Sequence, residues 1–228
     1  GKTRIAISKG GEATVDITWL GHSCFRLRAD DMIVVTDPYP ASIGLRPDTR
    51  TAMVVTVSNH HPNHSNWQEV EGDPRVFDAP GEYEFHSIPV RGVMTPLLPE
   101  ASRDHRSVAF TIELDGINIC HLGDLTAPLT THQIDELSPV DVLLIPTGGG
   151  CTLDMDKVFQ TMQDMDPKLV IPMHHSTPGV DVPLQGLDVF LNRTGLSDAQ
   201  PQPRLIVTAS NLPADMKVVV LAPQGRAV

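Results

Sequence analysis

The chain is poor in the means of covalent cross-linking. Its 228 residues hold three cysteines, Cys24, Cys120 and Cys151, and an odd number so widely spaced makes neither a disulfide framework nor a zinc ribbon. Basic residues are also scarce: 17 Lys and Arg against 28 Asp and Glu leave a net charge of −11. That balance reads against general binding of nucleic acid or of an anionic membrane, since both need a basic patch to displace counterions or meet headgroups. Long apolar runs are missing as well. Runs such as Met32-Ile33-Val34-Val35 and Val142-Leu143-Leu144-Ile145 fall far short of the roughly 18 residues a membrane span requires. No charged-then-apolar leader is visible to direct secretion. Aromatic residues number ten (Phe 6, Trp 2, Tyr 2), no more than the ten histidines. Hydrophobic residues at 40% still supply a proper core. No linker, repeat or low-complexity tract divides the chain, so residues 1–228 read as one domain of an acidic, soluble, cytoplasmic protein.

Short Val- and Ile-rich runs punctuated by Gly and Pro dominate. Residues 14–20, 24–27, 32–35 and 53–57 read as successive strands bounded by turn residues such as Gly21, Asp30-Asp31 and Asp37-Pro38. A second set falls at 108–114, 117–122, 142–145, 169–171, 205–207 and 218–221. Asp115-Gly116 predicts a type I′ hairpin, whose two central positions both need positive φ. Ile145-Pro146 and Ile171-Pro172 each end a strand with a residue that cannot donate to a ladder. Helices are fewer. One is expected at 153–165, capped by Thr152 and stopped by Pro167, with Met155, Val158, Phe159, Met162 and Met165 on one core-facing side. Others are expected at 127–137 and 182–191, with a short one at 66–70 capped by Ser65. Strands in two blocks, each followed by helices, predict an α+β fold with two sheets packed face to face and helices outside.

Chemistry concentrates at strand ends. The strand Val54-Val55-Thr56-Val57 runs into Ser58-Asn59-His60-His61-Pro62-Asn63-His64, and a rigid sheet can aim such loop side chains into a site. Three of ten histidines in five consecutive places are not a random scatter, and neutral imidazole is the commonest protein ligand for zinc and its neighbours. The stretch Ile171-Pro172-Met173-His174-His175 repeats the form, and Ile119-Cys120-His121-Leu122-Gly123-Asp124 ends a strand in a carboxylate. A carboxylate with two imidazoles suits a catalytic ion that keeps a position open for water.

In this setting Asn59-His60-His61-Pro62-Asn63-His64 resembles the first metal motif of the metallo-β-lactamase superfamily, His-x-His-x-Asp-His after an apolar strand. Other pieces resemble its metal-dependent hydrolase branch, the one similar to ascorbate-phosphate lactonase. They are Thr18-Trp19-Leu20-Gly21-His22-Ser23, Thr36-Asp37-Pro38, Pro80-Gly81-Glu82-Tyr83-Glu84, His121-Leu122-Gly123-Asp124-Leu125, Val140 to Pro146 with Gly148-Gly149, and Ile171-Pro172-Met173-His174. They occur in the family's order. The resemblance implies an αββα sandwich with its site along one edge of the two sheets. It also implies His61 as a ligand of a first metal position, His64 and His174 as ligands of a second, and Asp124 as the carboxylate bridging them. Asp37 would orient a ligand histidine.

The pattern is incomplete where it matters. Asn59 stands in place of the first histidine and Asn63 in place of the aspartate, and an amide oxygen is a poor zinc ligand that cannot act as a base. The stretch Thr95-Pro96-Leu97-Leu98, where a third histidine of the first position would fall, has leucines. One ion, zinc or manganese, is therefore expected at His64, Asp124 and His174, with Asn63 a weak fourth ligand and His61 and Asn59 beside it. Asp124 and Asn63 would stand at the reacting centre. The expected function is hydrolysis of a small-molecule ester, lactone or phosphoester by metal-activated water. The alternative is a relative that has lost its metal and serves as a binding or scaffold protein. The resemblance also implies a homo-oligomer. His22 is expected to line the cleft beside the ligands, His121 to be a core histidine and His105 a solvated one. Cys151 is a weaker candidate, a nucleophile lacking a base, while Glu82 and Glu84 are expected to shape a loop.

Overall fold

The computed structural model describes residues 12–97 and 106–228, so His105 and Leu98 lie outside the described residues. The first sheet has the order β12 (Leu205–Val207), β1 (Val15–Gly21), β2 (Cys24–Ala29), β3 (Met32–Thr36), β4 (Val54–Thr56), β5 (Arg75–Phe77). The second has the order β13 (Lys217–Val218), β11 (Leu169–Met173), β10 (Val142–Pro146), β9 (Ile117–His121), β8 (Val108–Leu114), β7 (Ile88–Met94), β6 (Gly81–Phe85). Both sheets are mixed. Strands β1, β3 and β4 run the same way, because β2 is antiparallel to β1 and β3 while β3 and β4 are parallel. Strands β9, β10 and β11 are likewise parallel to one another.

Alternation decides which face each strand buries. In β1, Val15, Ile17 and Trp19 point into the space between the sheets while Asp16 and Thr18 point out, the period-two pattern of a half-buried strand. Phe25, Phe110, Ile112, Leu144 and Ile171 meet them from β2 and the second sheet. Strand β10 is buried along its whole length, since Leu144 faces the first sheet while Leu143 and Ile145 face the helical side. There α2 (Met155–Met165) presents Val158, Met162 and Met165, and α3 (Leu187–Thr194) presents Phe190 and Leu191. Each such side chain contributes about 1.5–3 kcal/mol on burial. A third helix, α1 (Thr131–Leu137), packs on β7 and β8.

Most predicted elements form, with shifted ends. The 115–116 hairpin has both residues at positive φ, 47° and 77°. The cap of α2 is Asp154, which accepts from the Lys157 N–H, whereas Thr152 hydrogen-bonds the Gly149 carbonyl. Helix α1 starts late because Thr130 and Gln133 form a capping box, and α3 starts only after Pro183 and Gly186. The segment expected as a helix at 66–70 is a single 3₁₀ turn, Trp67–Glu69. Strands β5, β6 and β7 escape the sequence reading. In β6 the apolar residues alternate with Glu82 and Glu84 at the sheet edge, and in β7 Pro89 and Gly92 read as breakers. Gly92 is there because a Cβ would lie 2.8 Å from the Phe110 ring.

Candidate metal centre

The carboxyl ends of β1, β3, β4, β9, β10 and β11 meet at one edge of the sandwich. Two backbone bonds cross between the sheets at this edge, from the His174 N–H to the His22 carbonyl at 3.0 Å and from the Val108 N–H to the Ser58 carbonyl at 2.8 Å. Strand β1 ends into His22 (φ 51°), β3 into Asp37 (φ 40°) and β11 into His174 (φ 50°). Left-handed backbone at a side-chain-bearing residue costs roughly 1–2 kcal/mol, and three instances in one place mark a site the surrounding structure has to hold. The loops also touch closely. A Cβ on Gly123 would fall 2.3 Å from the Ser58 Cβ, and one on Gly148 would fall 2.1 Å from the His174 carbonyl oxygen. Glycine at these positions lets the loops after β9 and β10 lie directly on their neighbours.

Three buried imidazoles converge here. His22, His64 and His174 each offer a ring nitrogen, and those nitrogens all lie within 4.8 Å of one another. Ring centroids are 4.2 Å apart for His22 and His174, 4.9 Å for His22 and His64, and 5.6 Å for His64 and His174. Asp37 fixes His64. Its carboxylate, fully buried, accepts from the Ser58 N–H at 2.7 Å, the Ser58 hydroxyl at 2.5 Å and His64 Nδ1 at 2.8 Å. With the proton held on Nδ1, the Nε2 lone pair of His64 is left for the cluster. Both ring nitrogens of His22 and Nδ1 of His174 have no hydrogen-bond partner among the described residues. A buried polar atom left unpaired costs about 1–3 kcal/mol.

The electrostatics follow from burial. Desolvation and the neighbouring imidazoles push His22 well below the usual histidine value and push His174 down to about 3, so both stay neutral at physiological pH. Burial opposes a charge on His64 too, but the hydrogen bond and charge of Asp37 outweigh it and raise that histidine. Burial likewise opposes charge on Asp37, yet His121, His64 and Ser58 together hold its carboxyl below the usual range. Neutral imidazoles with unspent nitrogens in a buried pocket are the donor chemistry a catalytic zinc shell uses, so these residues fit a divalent cation.

A second, more open donor group shares His174. Asp124 Oδ1 lies 3.6 Å from His174 Nε2, and Cys151 completes the group within 4.8 Å. Burial and the nearby Asp124 raise the Cys151 thiol, which keeps it protonated. A cavity of about 910 Å³ opens onto all of these side chains, with Asn59, His61 and Asn63 also in its wall.

The placement differs from the expected ligand set at His61, His22 and Asp124, the last standing with Cys151 and His174 in the more open group rather than in the buried one. His61, expected as a ligand, is exposed, and its ring centroid is 6.5 Å from that of His64. Its Nδ1 accepts from the Asn63 N–H at 3.2 Å, while Asn59 Oδ1 accepts from the His61 N–H at 2.7 Å. Asn59 and His61 thereby build the 3₁₀ turn Pro62–His64 that carries His64 inward. His22, expected only beside the ligands, stands inside the buried group. Its signal was in the sequence: it follows a strand end, as His64, Asp124 and His174 do. His121 is buried and bonded through Nε2 to the Ser23 carbonyl at 2.8 Å, and His175 packs on Trp19 at 4.9 Å.

Comparison with known proteins gives one family. A model of the beta-lactamase superfamily domain matches residues 16–174. Among curated relatives, a metal-dependent hydrolase of Carboxydothermus hydrogenoformans is 26% identical over 195 residues, covering 71% of this chain and 84% of that protein. One from Methanosarcina barkeri is 27% identical over 198 residues, covering 72% and 84%. Among solved structures, a protein of Thermotoga maritima described as a Zn-dependent hydrolase of the metallo-beta-lactamase superfamily is 35% identical with a TM-score of 0.73, covering 91% of this chain and 98% of that one. A metallo hydrolase of Ignicoccus hospitalis, 20% identical with a TM-score of 0.62 over 86% of this chain and 98% of that one, shares the fold. With two mixed sheets stacked face to face and a family model spanning most of the strands, the chain belongs to the beta-lactamase superfamily and has the metallo-β-lactamase fold.

Proposed function

We propose that the protein is a metal-dependent hydrolase that holds one divalent cation, zinc before manganese, at His22, His64 and His174, and cleaves an ester, lactone or phosphoester of a small molecule. The observation that carries this reading is the convergence of three buried imidazoles with unpartnered nitrogens on His22 and His174. When bound, such a cation supplies electrophilic polarisation of the scissile group and acidification of water. Three imidazole ligands favour zinc, since manganese prefers carboxylate-rich sites.

The chain's own residues divide the remaining work. Asp37 holds His64 in one tautomer and one orientation. Asp124, partly exposed and 3.6 Å from His174, is the carboxylate placed to take the proton that an attacking water loses. It returns that proton to the departing oxygen as the C–O or P–O bond breaks, so acid and alcohol leave with the elements of water added. Asn63 lines the same cavity and serves to orient substrate, because an amide cannot accept that proton.

Elemental analysis of protein purified without chelator tests the reading. Metal near one equivalent, lost in His22→Phe and in His64→Ala, is the expected result. Less than about a tenth of an equivalent after zinc or manganese is added would overturn it and leave the metal-free binding or scaffold role.

A further inference from the structure

On the outward face of the first sheet lies a second pocket, of about 610 Å³, that shares no wall residue with the metal cavity. Its wall carries Arg26, Arg28, Arg46, Arg50, Arg204 and Arg226, half of the chain's 12 arginines. Only two carboxylates, Asp16 and Asp48, accompany them, so a local excess of four positive charges sits in a protein whose net charge is −11. Exposed arginines are ordinarily solvated singly, and concentration in one pocket of an acidic protein is the opposite arrangement.

The pocket is built. In the β1–β2 ladder Thr18 pairs with Arg26 and Asp16 with Arg28, which places both guanidiniums on the outward face. Arg26 donates to Asp48 at 3.2 Å and to the Thr51 carbonyl at 2.7 Å. Arg50 grips the same carboxylate with both prongs, Nε at 2.7 Å and Nη2 at 3.0 Å, so Asp48, only 9% exposed, holds two guanidiniums in fixed positions. Arg204 is held by Asp16 at 2.8 Å. The Arg46 N–H donates to the Arg226 carbonyl at 2.8 Å, which ties two more arginines side by side. Among the described residues, Arg28, Arg46 and Arg226 form no ion pair, and their charge is unspent.

We infer that this arginine-lined pocket binds a small anion carrying two or more phosphate groups. A guanidinium presents a rigid planar fork that matches phosphate oxygens two at a time. The volume lies within the range of small-ligand sites. The one aromatic residue in the wall, Tyr39, is buried, and its hydroxyl donates to the Leu20 carbonyl at 2.8 Å. No ring is therefore offered on which a base could stack, so recognition rests on phosphate alone and excludes single-stranded nucleic acid as the fitted ligand.

Calorimetric titration with tripolyphosphate, ATP and inorganic phosphate tests this, using protein stripped of metal so that the histidine centre cannot capture the anion through a cation. The expected result is one tripolyphosphate per chain, ATP no tighter than tripolyphosphate, and inorganic phosphate weaker than both. Arg46→Gln with Arg226→Gln should weaken tripolyphosphate by roughly tenfold or more, since each removes a charged hydrogen-bonding group. Both side chains are exposed and, among the described residues, outside any ion pair, so an unchanged thermal midpoint should show that the variant folds. His64→Ala should leave the affinity as it is. Absence of binding, affinity undiminished in the double variant, or loss of binding in His64→Ala would each overturn the assignment. ATP binding far more tightly than tripolyphosphate would overturn recognition by phosphate alone.

Discussion

Acid should unfold the metal-free protein through its buried histidines. Burial pushes His174 down to about 3 and His175 down to about 4, against 6.5 for an exposed imidazole. Each takes up a proton on unfolding that it cannot hold when folded. Their contribution is therefore intact above pH 6.5 and falls, as pH falls, by about 1.4 kcal/mol per pH unit for each histidine. Between pH 6.5 and 5.0 the two together lose about 3 kcal/mol, because each unfolded imidazole is only half protonated at pH 6.5, and that is a large share of the roughly 5–15 kcal/mol that stabilises an ordinary domain. Burial lowers His22 and His121 as well, and they add to the loss. His64 runs the other way. Its value is raised, so its stabilisation is complete below pH 6.5 and is lost as pH rises through the raised value. One group cannot reverse four. Urea unfolding of chelator-treated protein at a series of pH values reads the effect directly, because the slope of unfolding free energy against pH counts protons taken up. About two or more protons are expected near pH 5.5. His175→Gln should reduce the count by about one, since His175 lies against Trp19 and outside the converging imidazoles. A flat profile between pH 6.5 and 5.0, or an unchanged slope in His175→Gln, would refute the reasoning.

Three further outcomes follow from the same geometry. Asp37→Asn removes the charge that accepts from Ser58 and His64, and should weaken metal binding by about 10–100-fold in a chelator-competition titration; unaltered affinity would remove Asp37 from the positioning of His64. Gly148→Ala places a Cβ 2.1 Å from the His174 carbonyl oxygen, so it should lower both the thermal midpoint and metal affinity, and a variant with neither change would show that the two loops need not touch. Asn59→His with Asn63→Asp supplies two of the three donors that the resemblance implies and this chain lacks, and should raise the bound metal; no increase would mean that the turn built by Asn59 and His61 keeps the new side chains out of the cleft.

The sequence carries the sheets well because their pattern is local. Val15, Ile17 and Trp19 alternate with Asp16 and Thr18, and that alternation is the half-buried strand itself. Strand β7 is hidden for the converse reason: Pro89 and Gly92 have local meanings as breakers, while the demand that Gly92 make room for Phe110 comes from the neighbouring strand. The candidate site divides the same way. His64, Asp124 and His174 are legible because each follows an apolar run. His22 also follows one, but its inward aim depends on a left-handed backbone held by the Trp19 indole N–H and the His174 N–H, both bonded to its carbonyl. The arginine pocket was invisible for a different reason. Net charge is a sum over the chain, and a sum has no location, so an excess of 11 negative charges conceals four positive ones gathered from the β1–β2 ladder and from Arg46, Arg50, Arg204 and Arg226.

The acid-sensitive groups and the proposed ligands are in part the same atoms, which ties stability to the site. His22 and His64 come from loops of the first sheet, and His174 and Asp124 from loops of the second. Without a cation, His22 and His174 keep unpartnered nitrogens in a buried pocket, and the fold tolerates that cost at the seam between its two sheets. A cation held by all three imidazoles would satisfy those nitrogens and join the sheets. Because it binds only where the three are brought together, it should stabilise the folded state by mass action, about 2.7 kcal/mol at a free concentration 100 times its Kd. It should also flatten the acid profile, since a coordinated imidazole is not available to a proton until protons displace the metal. Urea titrations with and without zinc at pH 7.5 and 5.5 separate the two effects. If zinc binds stoichiometrically but leaves the unfolding midpoint unmoved at both pH values, the ion is not bridging the sheets, and the converging imidazoles are not its ligands.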